Sequence, residues 1–239
     1  MQECHGKYLY FLDSDDKITY DFFDEAVNKM ESLNLDVLTF NASSFMDGKP
    51  LSSELNADNY VRTLPENISD PILHFLQTEQ FRSPVWLYFY RFEFITRNKL
   101  TFKEGILHED ELFSLIACVT AQKTAFTNKS YFERRVRENS IMTSKKTFKN
   151  SQSYLEVFRE SALWYNDFRA HHNAQYAHAV IKRIATFYLW ALRGAIERNE
   201  LNKFRRIAVP NILLIFRYVK LKNALTIILP KQFSKFLSS

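Results

Sequence analysis

The chain has 239 residues, of which 46% are hydrophobic and 25% charged, so it can bury a sizeable core and does not belong to the highly charged disordered class. Its two cysteines, Cys4 and Cys118, lie far apart, which argues against a disulfide framework or a zinc site and favours a reducing cytoplasm. The sequence opens without a secretory signal pattern. The net charge of +5 is concentrated in residues 182–239, which indicates an anionic partner or a solvated basic face.

Strand and helix patterns alternate at the start of the chain. Residues 8–12 form a continuously apolar run, typical of a strand buried on both faces in a parallel sheet. After Thr19, a candidate N-cap, apolar residues recur at helical spacing over 22–33. A second strand is predicted at 36–43. This order predicts an α/β architecture, in which ligands bind beyond the carboxyl ends of the strands.

The middle of the chain carries several element boundaries. Residues 46–69 are polar and contain Gly and Pro, so we expect a loop there. Caps followed by proline at Ser69–Pro71 and at Ser83–Pro84 predict two helix starts. A third helix is predicted over 108–122, because its acidic opening suits the positive end of a helix dipole. Residues 123–136 predict a strand or hairpin.

The C-terminal part is helical in pattern from Tyr154 onward. We therefore predict a sheet domain over 1–148 and a basic helical region over 149–239. The apolar run at 207–229 is interrupted by Pro, Lys and Arg, so it lacks the roughly 20 consecutive apolar residues of a membrane-spanning helix. Its mixture of apolar and basic residues suits peripheral contact with the inner face of a membrane, or packing against the main domain.

A cluster of carboxylates directly follows the first apolar run. Asp13, Asp15 and Asp16 repel one another unless a cation or hydrogen-bond donors compensate their charge. Mg²⁺ or Mn²⁺ bound jointly by carboxylates and substrate phosphates would do so. Helix capping by one Asp, with the others solvated, is the structural alternative. A phosphatase is less favoured, because Lys17 stands where such enzymes carry Thr, and an EF-hand loop would need a glycine that is absent.

Three segments together resemble one enzyme family. GKYLYFLDSDDKI (6–18) resembles the metal-binding DxD segment of family 2 glycosyltransferases with the GT-A fold. VWLYFYRFEFITRNKLTFKEGILHEDELF (85–113) resembles the stretch leading to that family's Glu-Asp pair. YFERRVRENSIMTS (131–144) resembles the Arg-rich segment of members that build bacterial capsular, cell-wall or exopolysaccharides. The resemblance implies a partial GT-A, Rossmann-like sheet domain followed by a mostly α-helical region.

The implied activity is metal-dependent, inverting transfer of a sugar from a nucleotide-diphosphate donor, UDP-linked by expectation, to a glycan or lipid-linked acceptor. By position, Asp15 and Asp13 would hold Mg²⁺ or Mn²⁺, with Asp13 also near the ribose or diphosphate and Asp16 in support. Asp110 would be the catalytic base, and Glu109 would orient the acceptor. Compensation of a helix dipole is the structural alternative for the last two. No nucleic-acid partner is expected.

Four further side chains are candidates for binding. Arg135 and Arg137 alternate along a predicted strand or loop, so both could contact the donor diphosphate or form a solvated basic edge. Trp86 could stack on an acceptor sugar, or simply fill the core. His108 could contact the acceptor, metal or phosphate, or be an ordinary polar residue at a helix start.

The chain also departs from the family. Members normally begin with a βαβα region that precedes the position of Gly6, and only four glycines are present here. The resemblance therefore implies that the nucleotide-recognition strands have no counterpart in this sequence, and that the strand over 8–12 has an open apolar edge. We expect a truncated enzyme, a split enzyme completed by a second chain, or a noncatalytic interaction protein.

Overall fold

A computed structural model describes residues 3–48, 60–136, 146–169 and 174–228. By its internal contacts the chain divides into two compact units. The first, called here the sheet unit, comprises 1–101 and 113–144, and the second, the helical unit, comprises 102–112 and 145–239. The short piece 102–112 lies in the predicted sheet domain, and no local pattern in the sequence marks its separate grouping.

The sheet unit contains a mixed five-stranded sheet. Its strands are β1 (Tyr8–Tyr10), β2 (Lys17–Ile18), β3 (Val37–Phe45), β4 (Tyr88–Arg91) and β5 (Thr124–Arg135). Their order across the sheet is β1-β4-β3-β5-β2, with β3 and β5 parallel and the other pairs antiparallel. Together with the helices, this sheet confirms the predicted α/β architecture and the mostly helical C-terminal region.

Among the residues that the structure describes, four α-helices occur before β5. They are α1 (Phe22–Ser32), α2 (Pro71–Gln77), α3 (Phe92–Arg97) and α4 (Glu109–Thr120). The helix start predicted at Asp70 is confirmed, because its Oδ1 accepts a hydrogen bond from the Leu73 N–H at 3.0 Å. The predicted cap at Thr19 is wrong, since Asp21 takes the N-cap position while the Thr19 N–H donates to the Tyr131 oxygen of β5.

The helix predicted directly after Ser83–Pro84 is also wrong. The segment instead forms a 3₁₀ turn at Val85–Leu87, then β4, and only then α3. Tyr88 and Tyr90 are fully buried in β4, which lies between β1 and β3. Aromatic side chains favour such a pleated, buried surface, so sheet pairing overrides the local helix signal.

The placement of β1 differs in detail from the prediction. It is antiparallel to β4 and lies at an edge of the sheet, whereas the sequence pattern predicted a strand within a parallel sheet. Leu9 is buried, and Tyr10 packs on Phe22 of α1 with ring centroids 4.7 Å apart. Helix α1 therefore packs against the Tyr10 side of β1.

The helical unit adds five helices after residue 145 within the part of the chain that the structure describes. They are α5 (Phe148–Phe168), α6 (Ala174–Glu197), α7 (Leu201–Ala208), α8 (Ile212–Tyr218) and α9 (Leu221–Ile228). Helices α5 and α6 pack on each other through buried side chains such as Phe158 and Tyr188, whose ring centroids lie 5.6 Å apart. Among the described helices, none combines the length and apolar character that crossing a membrane requires.

Candidate functional site

The carboxylate turn, residues 13–16, follows β1 directly. The Asp16 N–H donates to the Asp13 carbonyl at 3.2 Å, which closes the turn. Burial, with added repulsion from Asp15, raises the pKa of Asp13. Burial also raises the pKa of Asp16, against a backbone hydrogen bond from Arg135 that lowers it, while Asp15 and Asp13 raise it further. The negative charges of the three carboxylates therefore repel one another, and a cation placed among them would relieve this repulsion.

Arg135, the last residue of β5, is tied to the carboxylate turn. Its N–H donates to Asp16 Oδ1 at 2.6 Å, and its Nε donates to the Asp15 carbonyl at 2.8 Å. Its guanidinium also pairs with Asp47 at 2.6 Å. Pairing of β2 with β5 creates this approach, because it brings the end of β5 beside the turn. The structure therefore brings together Arg135 and the three carboxylates, which the sequence singled out separately.

The carboxylate turn suits Mg²⁺ or Mn²⁺ in the chemistry of its donors, since both metals prefer oxygen ligands. Over residues 3–48, 60–136, 146–169 and 174–228, no group of three or more His, Cys, Asp or Glu side chains is arranged to hold a metal ion. One or two carboxylates are what these metals usually take from a protein, with water and substrate phosphates completing the coordination. Asp15 and Asp13 fit that partial role.

Two other side chains of the sheet unit were predicted to bind substrate, Trp86 and Arg137. Trp86 is 7% exposed, and its ring stacks on Phe132 with centroids 4.2 Å apart. Tyr60 meets the same ring edge-on at 4.9 Å, so little of Trp86 is open to a sugar. The core interpretation accounts for its contacts. Arg137 lies outside the described residues.

The acidic helix start, His108–Glu111, belongs to the helical unit. Burial is the main cause that raises the pKa of Asp110 to about 7, and the charges of Glu111 and Glu109 raise it further. A carboxyl group with this pKa can both accept and release a proton near neutral pH. Glu109 is exposed at the first position of α4.

His108 has an unusual environment for a residue at a helix start. Its φ of 64° lies in the left-handed region, which non-glycine residues seldom adopt outside turns and functional sites. Its ring stacks on Tyr154 of α5, with centroids 4.1 Å apart and planes 11° from parallel. Its Nε2 lies 3.2 Å from Asn150 Nδ2. The position is therefore held by α5, a helix distant in sequence.

An ion pair fixes the third acid of the helix start. Arg183 of α6 contacts Glu111 at 2.6 Å, and the two side chains are only 16% and 14% exposed. The guanidinium also lies over the rings of Trp190 and Phe187, at 5.0 and 5.2 Å from their centroids. Sequence reasoning missed Arg183, Asn150 and Tyr154. The one available signal was a cationic residue within the apolar pattern of α6.

Sequence comparison finds relatives that are named glycosyltransferases. No protein-family model matches the chain. The chain is 25% identical over 146 residues to glycosyltransferase GlyA of Streptococcus pneumoniae serotype 4. The matched region covers 59% of this chain and 20% of that protein. Over 144 residues it is 29% identical to the uncharacterized glycosyltransferase EpsJ of Bacillus subtilis strain 168, covering 59% of this chain and 41% of that protein.

Solved structures share the fold. The crystal structure of S. aureus TarS 1-349 in complex with UDP-GlcNAc matches 99% of this chain and 66% of TarS 1-349, with a TM-score of 0.62 and 18% identity. The UDP complex matches 98% of this chain and 60% of the TarS chain, with a TM-score of 0.55 and 16% identity. The chain thus spans less than two thirds of each of these proteins. Its sequence relatives are glycosyltransferases, and its α/β fold is shared with TarS.

Proposed function

We propose that this chain takes part in glycosyl transfer from a nucleotide-diphosphate sugar, UDP-linked, to a glycan or lipid-linked acceptor in polysaccharide biosynthesis. The observation that carries the proposal is that Arg135 is hydrogen-bonded to the carboxylate turn, which places its guanidinium close to the oxygen atoms of that turn. This arrangement suits a diphosphate whose negative charge is neutralised jointly by a metal ion and a guanidinium. The glycosyltransferase names of the sequence relatives, and the UDP-GlcNAc and UDP of the TarS crystals, agree with it.

On the donor side, Asp15 and Asp13 would hold Mg²⁺ or Mn²⁺. The metal would supply Lewis-acid stabilisation of the diphosphate leaving group when bound. Arg135 would contact the diphosphate, with Arg137 as its proposed partner. Asp16 would hold the backbone of Arg135 in place through the hydrogen bond already described. The metal requirement is a proposal that rests on the donor chemistry of the turn.

On the acceptor side, Asp110 would be the base. As the acceptor oxygen bonds to the anomeric carbon, the bond from that carbon to the diphosphate oxygen breaks, and Asp110 takes the hydroxyl proton. A single displacement of this kind inverts the anomeric configuration. The pKa of about 7 suits this role, since the carboxylate form is present at neutral pH and still binds a proton well. Glu109 and His108 would orient the acceptor, and Trp86 would support the sheet from the core.

We also propose that the complete activity requires a further stretch of polypeptide in addition to this chain. The supporting observation is length, since the chain spans 41% of EpsJ and 66% of TarS 1-349. A further segment or a second chain would supply the remaining nucleotide contacts. A noncatalytic interaction subunit of a split glycosyltransferase is the second candidate function, and the apolar groove of about 520 Å³ beside β1 favours it.

We also propose a cytoplasmic location with peripheral contact at the inner face of the membrane. Leu213 of α8 and Leu221 of α9 are 84% and 63% exposed, in a region rich in Lys and Arg. Apolar side chains flanked by cations are the combination that interfacial helices use against anionic lipid.

The test is sugar transfer with Mn²⁺, using UDP-linked donors and a lipid-linked acceptor, in the chain completed by a nucleotide-recognition segment. Asp110→Asn should lower kcat by about 10²- to 10⁴-fold, the usual contribution of a general base. Asp24→Asn, an exposed position of α1, is the matched control and should leave kcat unchanged. The anomeric configuration of the product, read by NMR, tests inversion. Transfer that is insensitive to Asp110→Asn would contradict the role of the base.

A further inference from the structure

The start of α5 determines which atoms of Asn150 face His108. The Thr147 N–H donates to Asn150 Oδ1 at 2.9 Å, so the amide oxygen is taken up at the helix start. The amide nitrogen is left to face the ring, 3.2 Å from His108 Nε2. An amide NH₂ can only donate, so Nε2 must accept and cannot itself carry a proton.

We infer that Asn150 is a positioning residue that holds His108 as its neutral Nδ1–H tautomer, an uncharged hydrogen-bond donor for an acceptor-sugar hydroxyl. The inference rests on the proposed function for its ligand class, while the tautomer follows from the Thr147, Asn150 and His108 contacts alone. In a neutral imidazole, the hydrogen bond made by one nitrogen determines which nitrogen bears the proton.

The surroundings keep this ring neutral. Burial is the main cause that lowers the pKa of His108, and Lys146 lowers it further, while Glu111 and Glu109 act in the opposite direction. Tyr154, stacked on the ring, has a pKa raised mainly by burial and so remains an uncharged phenol. The net effect is a histidine without charge at neutral pH, although two carboxylates adjoin it.

The remaining nitrogen, Nδ1, is available to a ligand. It has no hydrogen-bond partner among the described residues, and it is not one of their buried atoms that lack one, so it is not fully enclosed. The backbone of His108 is left-handed and its carbonyl accepts from the Glu111 N–H at 3.1 Å, while the ring itself contacts Tyr154 and Asn150. Strained conformations of this kind persist where surrounding contacts determine them fully.

The tautomer decides between the ligand classes that the sequence left open for His108. A metal ion needs a nitrogen lone pair, but the Nε2 lone pair is used by Asn150 and Nδ1 bears a proton. A phosphate is bound most strongly by charged donors, and this ring is neutral. A sugar hydroxyl oxygen, which accepts a single neutral hydrogen bond, is the class that fits.

The experiment is NMR of the ¹⁵N-histidine-labelled chain across pH 5–9, with the His108 signals assigned by comparison with His108→Gln. We expect a protonated Nδ1 and an unprotonated Nε2 in the wild type at pH 7. Asn150→Asp keeps an oxygen for the Thr147 N–H but replaces the donor by an acceptor. It should move the proton to Nε2 and raise the His108 pKa by about one unit. Asn202→Asp, exposed on α7, is the charge-matched control and should change neither.

A wild-type His108 with its proton on Nε2, or a tautomer and pKa that Asn150→Asp leaves unchanged, would overturn the inference. The spectra are recorded without donor or acceptor, so they are independent of whether transfer occurs. In the transfer assay, Asn150→Asp should raise the KM for the acceptor severalfold with a smaller effect on kcat. A loss confined to kcat would overturn the assignment of His108 to the acceptor hydroxyl.

Discussion

Individual residues of this chain acquire their chemistry from burial rather than from their type alone. Asp13 and Asp16 are the first and last residues of the carboxylate turn, Asp110 lies in the first turn of α4, and burial raises the pKa of each. The pKa of Asp110 is raised to about 7, because burial, the main cause, acts together with the charges of Glu111 and Glu109. A raised pKa also means that the ionised carboxylate is less favourable in the folded than in the unfolded chain.

This linkage predicts a pH-dependent loss of stability. The folded chain holds the Asp110 proton up to about pH 7, whereas the unfolded chain releases it near 3.8, so the free energy of unfolding should fall as pH rises between these values. The upper bound is about 4 kcal/mol at about 1.4 kcal/mol per pKa unit, reduced by partial hydration. Asp110→Asn should therefore be more stable than the wild type at pH 8 and similar at pH 4.

Urea unfolding between pH 4 and 8 measures this difference. Asp24→Asn, at an exposed carboxylate of α1, is the control and should retain the wild-type pH dependence. An Asp110→Asn variant that loses stability with rising pH as steeply as the wild type does would show that Asp110 is not the group with the raised pKa.

The sequence reveals some of these residues and hides others for a physical reason. Asp13, Asp15 and the Glu109–Asp110 pair are recognisable because each motif is contiguous in the chain. Asn150 and Arg183 act on His108 and Glu111 through tertiary contacts. In the local sequence, Arg183 is marked only as a cation within the apolar pattern of α6, and no local pattern distinguishes Asn150.

At the scale of elements, α6 is bound to the first turn of α4 by the ion pair between Arg183 and Glu111. Arg183→Met removes the ion-pair partner of a carboxylate that is only 14% exposed, so it should lower the free energy of unfolding by about 3–5 kcal/mol. The double variant Glu111→Gln, Arg183→Met should lose less than the sum of the two single variants, because neither charge remains.

A double-mutant cycle by urea unfolding measures the coupling. The control cycle uses Lys203 and Glu200, a pair in which Lys203 is 65% exposed, and its coupling should be below about 1 kcal/mol. Strictly additive losses for Arg183 and Glu111 would mean that the pair does not fasten α6 to the start of α4.

Elements also show where local patterns fail. The segment 85–97 combines a proline cap with an apolar run, which predicts one helix, yet it forms β4 and then α3. The interactions that outweigh this local helix signal are long-range, since β4 pairs with both β1 and β3. Local propensity contains no information on such partners. The helix start at Asp70 was predictable because its hydrogen bond joins residues only three apart.

At the scale of the whole molecule, the edge of the sheet at β1 is a surface at which unwanted association can begin. Among the described strands β1 pairs with β4 alone, and Leu12 and Phe23 beside it are 48% and 49% exposed. Open apolar edges recruit further strands, and a charge there opposes this. Leu12→Lys should therefore reduce self-association of the isolated chain.

Sedimentation velocity over a range of concentrations measures that effect. Leu213→Lys, at an 84% exposed position of α8, adds the same charge away from the edge and should leave self-association unchanged. If both variants reduced self-association equally, the cause would be the change in net charge and not the β1 edge.

The central claim, that the carboxylate turn binds a metal-bound nucleotide diphosphate, is tested most directly by calorimetry. UDP is titrated with and without Mn²⁺ into the chain completed by a nucleotide-recognition segment. We predict binding that requires Mn²⁺, is lost in Asp15→Ala and is retained in Asp24→Ala, a matched change at an exposed carboxylate. Binding that is equally tight without the metal, or that Asp15→Ala leaves unchanged, would contradict the claim.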